Sequence, residues 1–406
     1  MKIAGLITEY NPFHNGHLYH IQKAKELTRA DYLIVIMSGD FIQRGAPAFL
    51  PKDLRARMAL CCGASLVIEL PVRYATGSAE LFAFGAVSLL DQLGCVDFLC
   101  FGSECGDVGK LQDLADFFSE ESASFKNLLQ NFLKAGHSYP SARKEAAAQM
   151  LEDSSLCNIL NEPNNILGIE YLKALKKRKS TISPITIRRQ GAHYHDAIPH
   201  EKFSSASAIR RLFLEMGADA LSLLDDHVPK KVQNLCEKAY GIRFPVSAND
   251  FSLLLKYRLL RESPDSLLKW QDVSAPLANR IIRNREQFQN WEQFCDLLKT
   301  RELTYTRISR ALLHICLEIP EPDKSVPPFY ARILGFQKCA APLLSLLKQK
   351  SSVPLITKLA DTSFSSDSAD AMLQEDIQSA DLYESVITDK FQQPFHNEYR
   401  QSLILL

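Results

Sequence analysis

The sequence predicts an α/β protein that begins as a doubly wound parallel sheet and continues as a mostly helical region. Three observations predict it. Short, continuously apolar runs alternate with amphipathic stretches over the first 105 residues, polar residues cluster just after those runs, and from about residue 218 the apolar spacing is helical. A parallel strand covered on both faces has no polar side, so it reads as an unbroken apolar run.

Ile3 to Ile7 is the first such strand, and Gly16 to Leu27 follows as a helix with Leu18, Ile21, Ala24 and Leu27 at helical spacing. Tyr32 to Met37 is a second strand, Asp53 to Cys62 a helix, and Leu66 to Leu70 a third strand ended by Pro71. Ser78 to Leu93 is a long amphipathic helix and Val96 to Phe101 a fourth strand. Residues 106 to 162 read as helices without strands, an insertion or cap on the sheet. Asn164 to Leu172 opens another helix, and Ile182 to Arg188 resembles a fifth strand. Residues 1–217 therefore read as a Rossmann-like domain, and residues 218–406 as a mainly helical region. The Ser- and Asp-rich stretch between Ser351 and Ser379 is expected to be partly a flexible linker.

Composition narrows the class. A chain of 406 residues exceeds what one core normally fills, so two or three domains are expected. The 47 basic residues balance 47 acidic ones, so any nucleic-acid binding must come from a local patch. The ten cysteines include no C-x-x-C pair, and Cys61, Cys62, Cys100 and Cys316 sit in apolar segments, as reduced packing residues do. The longest apolar runs, Leu33 to Met37 and Leu66 to Leu70, fall far short of the about 20 residues that cross a bilayer. Met1-Lys2 leads directly into the first strand, without a secretory leader, and the expected location is cytoplasmic.

The stretch Glu9-Tyr10-Asn11-Pro12-Phe13-His14-Asn15-Gly16-His17 places H-x-G-H where the first strand turns into a helix. A helix N-terminus carries unpaired N–H groups and partial positive charge, and so holds anionic phosphates. Gly16, lacking a Cβ, lets the backbone approach a phosphate closely. His14 and His17 can donate ring N–H groups to oxygens that gain charge during attack at an α-phosphorus. Taken singly, each histidine also reads as an ordinary first-turn residue. His14, His17 and His20 are not assigned a metal, because no Cys or carboxylate completes a ligand set.

Open parallel sheets bind ligands beyond the carboxyl ends of their strands, and four loops carry their polar residues there: Thr8 to Asn11, Ser38 to Gly45, Pro71 to Tyr74, and Gly102 to Glu104. Asp40 and Glu104 are candidates for binding Mg²⁺ or substrate, and Asp40 is carried forward as catalytic; each also reads as a plain loop residue. Phe203 to Arg211 offers a second phosphate clamp, in which Ser204 or Ser205 caps a helix carrying arginines. Between Phe251 and Arg310 eleven Lys and Arg face seven Asp and Glu. Arg280, Arg283, Arg285, Arg301, Arg307 and Arg310 lie near Trp270, Trp291 and Tyr305, a mixture that suits RNA and equally a solvated helix face over a tryptophan core.

In its H-x-G-H and S-S-x-S-x-I-R elements the chain resembles the HIGH-type nucleotidyltransferase superfamily. More closely it resembles the bacterial tRNA(Met) cytidine acetate ligase family, through EYNPFHNGH, MSGDFIQRG, ELPVRYATGSAE, FGSE, NNILGIEYL, RRQGAHYHD, FSSASAIRR, TYTRISRALLHI and YARILGF. One departure is His193, where the family pattern leads us to expect glycine. The resemblance implies an enzyme that joins acetate to ATP as acetyl-adenylate, then acetylates N4 of the wobble cytidine of elongator tRNA(Met) without acetyl-CoA. It implies ATP and Mg²⁺ but no zinc, and no obligate protein partner or membrane. The implied ATP site runs through Ile7, Thr8, Glu9, Tyr10, Asn11, Pro12, Phe13, His14, Asn15, Gly16, His17, Leu18, Tyr19 and His20, and includes Gly102, one of Asn164 and Asn165, one of Arg188 and Arg189, and the serine-capped helix at Ser204. Two alternatives remain: an adenylyltransferase acting on a small phosphorylated substrate, and a tRNA-binding protein that holds ATP without chemistry.

Overall fold

The computed structural model describes residues 1–120, 122–151, 158–189 and 205–406. Among these, ten strands occur: β1 (Ile3–Thr8), β2 (Tyr32–Ser38), β3 (Phe41–Ile42), β4 (Ala46–Pro47), β5 (Leu66–Leu70), β6 (Phe98–Ser103), β7 (Ser183–Arg188), β8 (Ala331–Phe336), β9 (Leu355–Ile356) and β10 (Ile404–Leu405). The main sheet has the order β10-β8-β5-β2-β1-β6-β7, with β9 beside β8, while β3 and β4 form a small separate hairpin. From β5 to β7 every pairing is parallel. The chain steps outward from β1 through β2 to β5 and then returns to place β6 on the other side of β1. That reversal opens a crevice at the carboxyl ends of β1 and β6.

Residue alternation assigns the two faces. Ile34, Ile36, Leu66, Ile68 and Leu70 enter one core with the helices Ala79–Gln92, Val108–Ser119 and Pro163–Arg178. Leu33, Val35, Met37 and Val67 point the other way, toward the helices Asn15–Thr28, Lys52–Cys61 and Ala206–Met216. Strand side chains alternate between faces, so a continuously apolar strand fills both cores. The stretch expected as an insertion supplies Leu111, Leu114, Phe125, Leu129, Ala142 and Ala146 to the first of these cores, and its helices are thus part of the layer.

The region after residue 218 is mainly helical and also returns strands to the sheet. Ala331–Phe336 returns to the sheet antiparallel to β5, and β9 and β10 pair parallel to it. The sheet therefore takes strands from both sides of residue 217. The Ser- and Asp-rich stretch is also not a linker, since it contributes β9 and the first half of the 25-residue helix Asp367–Phe391. That helix buries Met372, Leu373, Asp376 and Ile377. A third core, built on Phe251, Trp270, Trp291 and Leu312 in the helical half, also takes in Phe41 and Val72 from the first half.

Candidate active site

The turn after β1 builds a rigid pair of histidines. His14 is the N-cap of the helix Asn15–Thr28, its Nδ1 accepting from the Gly16 N–H at 3.0 Å. His17 Nδ1 accepts in turn from the His14 N–H at 3.2 Å, which closes a reciprocal capping box. Nδ1 is the acceptor on both rings, so each neutral imidazole carries its proton on Nε2. The rings stack, 3.7 Å between centroids and 25° apart. A Cβ on Gly16 would lie 2.8 Å from His14 Cε1, so this glycine makes room for the ring that caps it. Burial, reinforced by the charge of Arg189, lowers His14 to about 3 and His20 to about 4, and burial holds His17 well below its ordinary value. Neutral histidines donate one ring N–H each and remain donors at every working pH.

Positive charge surrounds them. Arg44, Arg188, Arg189 and Arg210 line the crevice, and among the described residues Glu9 is the one carboxylate in the lining. Arg210 donates to the Asn11 carbonyl at 2.6 Å and to Ser207 Oγ at 3.1 Å, which fixes it against the histidine turn. Three helices start at the crevice, supplying Gly16, Asn164 and Ser207 from their first turns. Ser205 caps the last of these, its Oγ accepting from the Ala208 N–H at 3.1 Å. Convergent N-termini and guanidinium groups suit a polyphosphate. Phe82, Phe101, Leu167, Tyr171 and Ile187 add an apolar wall of the kind that accepts a flat base.

Most of the expected ATP residues meet here: Ile7, Thr8, Glu9, Tyr10, Asn11, His14, Gly16, His17, Tyr19, His20, Gly102, Asn164, Arg188 and Arg189 all line the crevice. Pro12, Phe13, Asn15 and Leu18 do not. Phe13 is fully buried against Tyr10 and His17, and Asn15 turns away to donate to the Asp226 carbonyl. Leu18 packs toward the core beneath the sheet. Of the asparagine pair, Asn164 faces the crevice, whereas Asn165, 2% exposed, accepts the N–H groups of Glu104 and Cys105. Both arginines of the other pair line the crevice. Ser204 and His193 lie outside the described residues.

The two carboxylates have other partners. Asp40 is absent from the lining; its Oδ1 accepts from the Lys52 N–H at 2.7 Å and its Oδ2 lies 3.6 Å from Lys52 Nζ. Lys52 also meets Glu69 at 2.8 Å and Glu398 at 2.5 Å in a buried cluster that Arg332 completes. Asp40 thus joins helix Lys52–Cys61 to the sheet, a correction to its expected catalytic place. Glu104 is likewise outside the lining, accepting from Asn164 Nδ2 at 2.5 Å and lying 3.8 Å from Arg189 Nε, where it orients two residues that do line the crevice. Among the described residues no group of three or more His, Cys, Asp or Glu is arranged to hold a metal ion.

Gln43, Arg44, Tyr171 and Ser207 line the crevice but were not singled out for ATP, whereas Ser205 and Arg210 belong to the second phosphate clamp expected over Phe203 to Arg211. A signal existed for Gln43 and Arg44, which stand in the second polar loop.

The basic helices divide. Arg283 and Arg301 are exposed. Arg280 donates to the carbonyls of Leu297 and Leu298, Arg285 to that of Glu262, and Arg310 pairs with Asp272 at 2.9 Å. Arg307 is half-buried. Trp291 is completely buried and Trp270 is 6% exposed, so neither tryptophan offers a face to a base, contrary to the stacking role their spacing suggested.

The chain matches the HIGH Nucleotidyl Transferase family over residues 1–398. It is 42% identical to the tRNA(Met) cytidine acetate ligase of Thermoanaerobacter sp. strain X514 over 389 residues, covering 94% of this chain and 95% of that one. It is 40% identical to the enzyme of the same name from Acetivibrio thermocellus across the full length of both. Among solved structures, apo Thermotoga maritima TmcAL superposes with a TM-score of 0.92 at 31% identity, and TmcAL bound with alpha-thio ATP with 0.88 at 32%, both over the whole of each chain. Fold, crevice and full-length similarity agree: the chain belongs to the tRNA(Met) cytidine acetate ligase family of HIGH nucleotidyl transferases.

Proposed function

We propose that this protein activates acetate with ATP and passes the acetyl group to N4 of the wobble cytidine of elongator tRNA(Met). The observation that carries the reading is the stacked pair His14 and His17, each with Nε2–H as its remaining donor, set among four arginines at convergent helix N-termini. In the first step an acetate oxygen attacks the α-phosphorus, a P–O bond forms, the bond to the bridging β-oxygen breaks, and pyrophosphate leaves with the electron pair. The two Nε2–H groups and the guanidinium groups stabilise charge on the phosphoryl oxygens, and fixed donors of this kind need no reorganisation. Neutral rings suit the task because the donors are present without the desolvation penalty of buried imidazolium.

Glu9, the carboxylate among the described lining residues, would help hold a Mg²⁺ brought by the triphosphate. The ion would supply charge neutralisation to the phosphates. Asp40 and Glu104, engaged elsewhere, are not offered as its ligands.

In the second step cytidine N4 attacks the acetyl carbonyl carbon. A C–N bond forms, the C–O bond to the phosphate breaks, AMP leaves with its electron pair, and N4 gives up a proton. The mixed anhydride is already reactive, so positioning and exclusion of water dominate. No acetyl-CoA enters this reading. Residues 1–217 carry the ATP chemistry and the helical surface after residue 218 receives the RNA, with exposed Arg283 and Arg301 as phosphate contacts. A tRNA substrate puts the work in the cytoplasm.

The test is incubation of purified protein with ATP, acetate and an elongator tRNA(Met) transcript, followed by nucleoside mass spectrometry. N4-acetylcytidine that depends on both ATP and acetate supports the reading; an unmodified transcript contradicts it.

A further inference from the structure

The β3–β4 hairpin touches both halves of the molecule. On one side Ile42, Gln43 and Arg44 line the crevice. On the other, Gly45 lies against the helix Tyr305–Leu317 of the helical half, where Ser309 Oγ donates to the Gly45 carbonyl at 2.7 Å. Gly45 has φ +73°, and a Cβ there would lie 2.3 Å from the Arg310 backbone nitrogen, so only glycine lets the hairpin seat so closely. Ser309 also accepts from Trp291 Nε1 at 3.3 Å, and Phe41 at the hairpin base is buried in the third core.

The hairpin is equally fixed to the histidine turn. The Gln43 N–H donates to Glu9 Oε1 at 3.0 Å. Fully buried Arg55 donates to the carbonyls of Glu9, Ser38, Gly39 and Leu50, joining the ends of β1 and β2. The tip thus stands where the crevice meets the helical half, on a root that does not yield. An RNA lying on the helical half and delivering N4 into the crevice passes this tip.

Resting on the function proposed above, we infer that Gln43 and Arg44 read the acceptor base as cytosine. A cytosine placed for reaction must leave N4 unencumbered, which leaves N3 and O2 to be recognised, both hydrogen-bond acceptors. A guanidinium is a pure donor, and the Gln43 side-chain amide supplies two more N–H groups. That amide makes no hydrogen bond to another described residue, whereas its backbone is held. Uracil carries N3–H in place of the acceptor: the Arg44 guanidinium opposes it, and the Gln43 amide meets it only by turning its oxygen inward, which withdraws its N–H from O2. Donor against donor in a part-buried site is a strong discriminator because neither group finds another partner.

The experiment is competition binding of the full-length protein, with ATP present, to two elongator tRNA(Met) transcripts that differ only in cytidine or uridine at the wobble position. The wild-type protein is expected to prefer the cytidine transcript by about tenfold or more, the range of one good base contact. Gln43→Ala should bring the preference to within about twofold. Gln43→Glu, the same shape with an acceptor in place of the donor, should tilt it toward uridine. Melting temperatures of both variants, together with retained binding to the uridine transcript, report that they fold. Equal binding of both transcripts by the wild type, or an undiminished cytidine preference in both variants, overturns the inference. A wild type that discriminates and variants that lose the preference, in a protein that makes no acetyl-adenylate, would support this reading of the hairpin while overturning the chemistry proposed for the crevice.

Discussion

The imidazole of His14 stacks on that of His17 at 3.7 Å, each Nδ1 is occupied by a backbone N–H of the same helix turn, and the donor edges are both Nε2. Helix cap and remaining donor are thus separate nitrogens of one ring. Substitutions can divide them.

His14→Asn keeps an acceptor near the Nδ1 position and removes the Nε2–H. Asparagine is a strong N-cap, so stability should stay within about 1 kcal/mol, while acetate-dependent ATP–pyrophosphate exchange should fall about 100- to 1000-fold, the usual effect of losing one transition-state donor. Urea denaturation and exchange kinetics on the same preparation check this. Equal losses in both would mean that the ring is only a cap.

His14, His20 and His314 sit at about 3, about 4 and about 4, in each case chiefly through burial. Their signals in ¹H–¹³C NMR spectra of histidine-labelled protein should not move between pH 5.5 and 8. Because folded values are depressed, their contribution to stability is complete above the unfolded value near 6.5 and declines as pH falls toward 3 to 4, by up to about 1.4 kcal/mol per pH unit for each fully buried ring. Asp40, lifted by burial to about 6, works in the opposite sense, its contribution fading as pH rises through 6. A His14 resonance titrating near 6.5 would contradict the buried, neutral pair.

Lys52 makes contacts of 2.8 Å with Glu69 and 2.5 Å with Glu398, and all three side chains are buried. Removing the cation leaves carboxylates without a counter-charge. Lys52→Met should therefore destabilise by about 3 to 5 kcal/mol in urea titrations. Asp40→Asn should leave the KM for ATP within about twofold and remove the fading of stability as pH rises through 6, since Asp40 acts through this cluster; a large rise in KM would restore Asp40 to the crevice.

Arg283 and Arg301 are exposed, whereas Arg280 is tied to the carbonyls that end the helix Trp291–Leu298. Arg283→Ala and Arg301→Ala should each weaken tRNA binding and reduce the slope of log K against log salt by about 1. Arg280→Ala should act mainly on thermal stability. An unchanged salt slope in both exposed variants would move the RNA surface elsewhere.

Much of this was readable in advance, for definable reasons. Leu66 to Leu70 was placed to the residue because a buried parallel strand ended by Pro71 is a local pattern. Ala331–Phe336 was missed because it earns its place through β5, more than 250 residues earlier, and no local period records that partner. The histidine turn was legible because strand, turn and helix are contiguous. Asp40 misled: a carboxylate after a strand faces the crevice in an idealised sheet, but here the chain bends to cap the helix Lys52–Cys61. The arginine-bearing helix of Phe203 to Arg211 was read as a phosphate clamp, but that Arg210 meets the Asn11 carbonyl from this distant helix needed the tertiary structure. Trp270 and Trp291 illustrate a limit of spacing, because an aromatic among arginines reads the same whether its ring faces solvent or core.

The most direct measurement of the central claim is ATP–pyrophosphate exchange by the purified protein with acetate, propionate, glycine or buffer alone, each with and without bulk tRNA. The account predicts exchange with acetate in the absence of RNA, and its loss in His17→Ala. No acetate-stimulated exchange under either condition would contradict it.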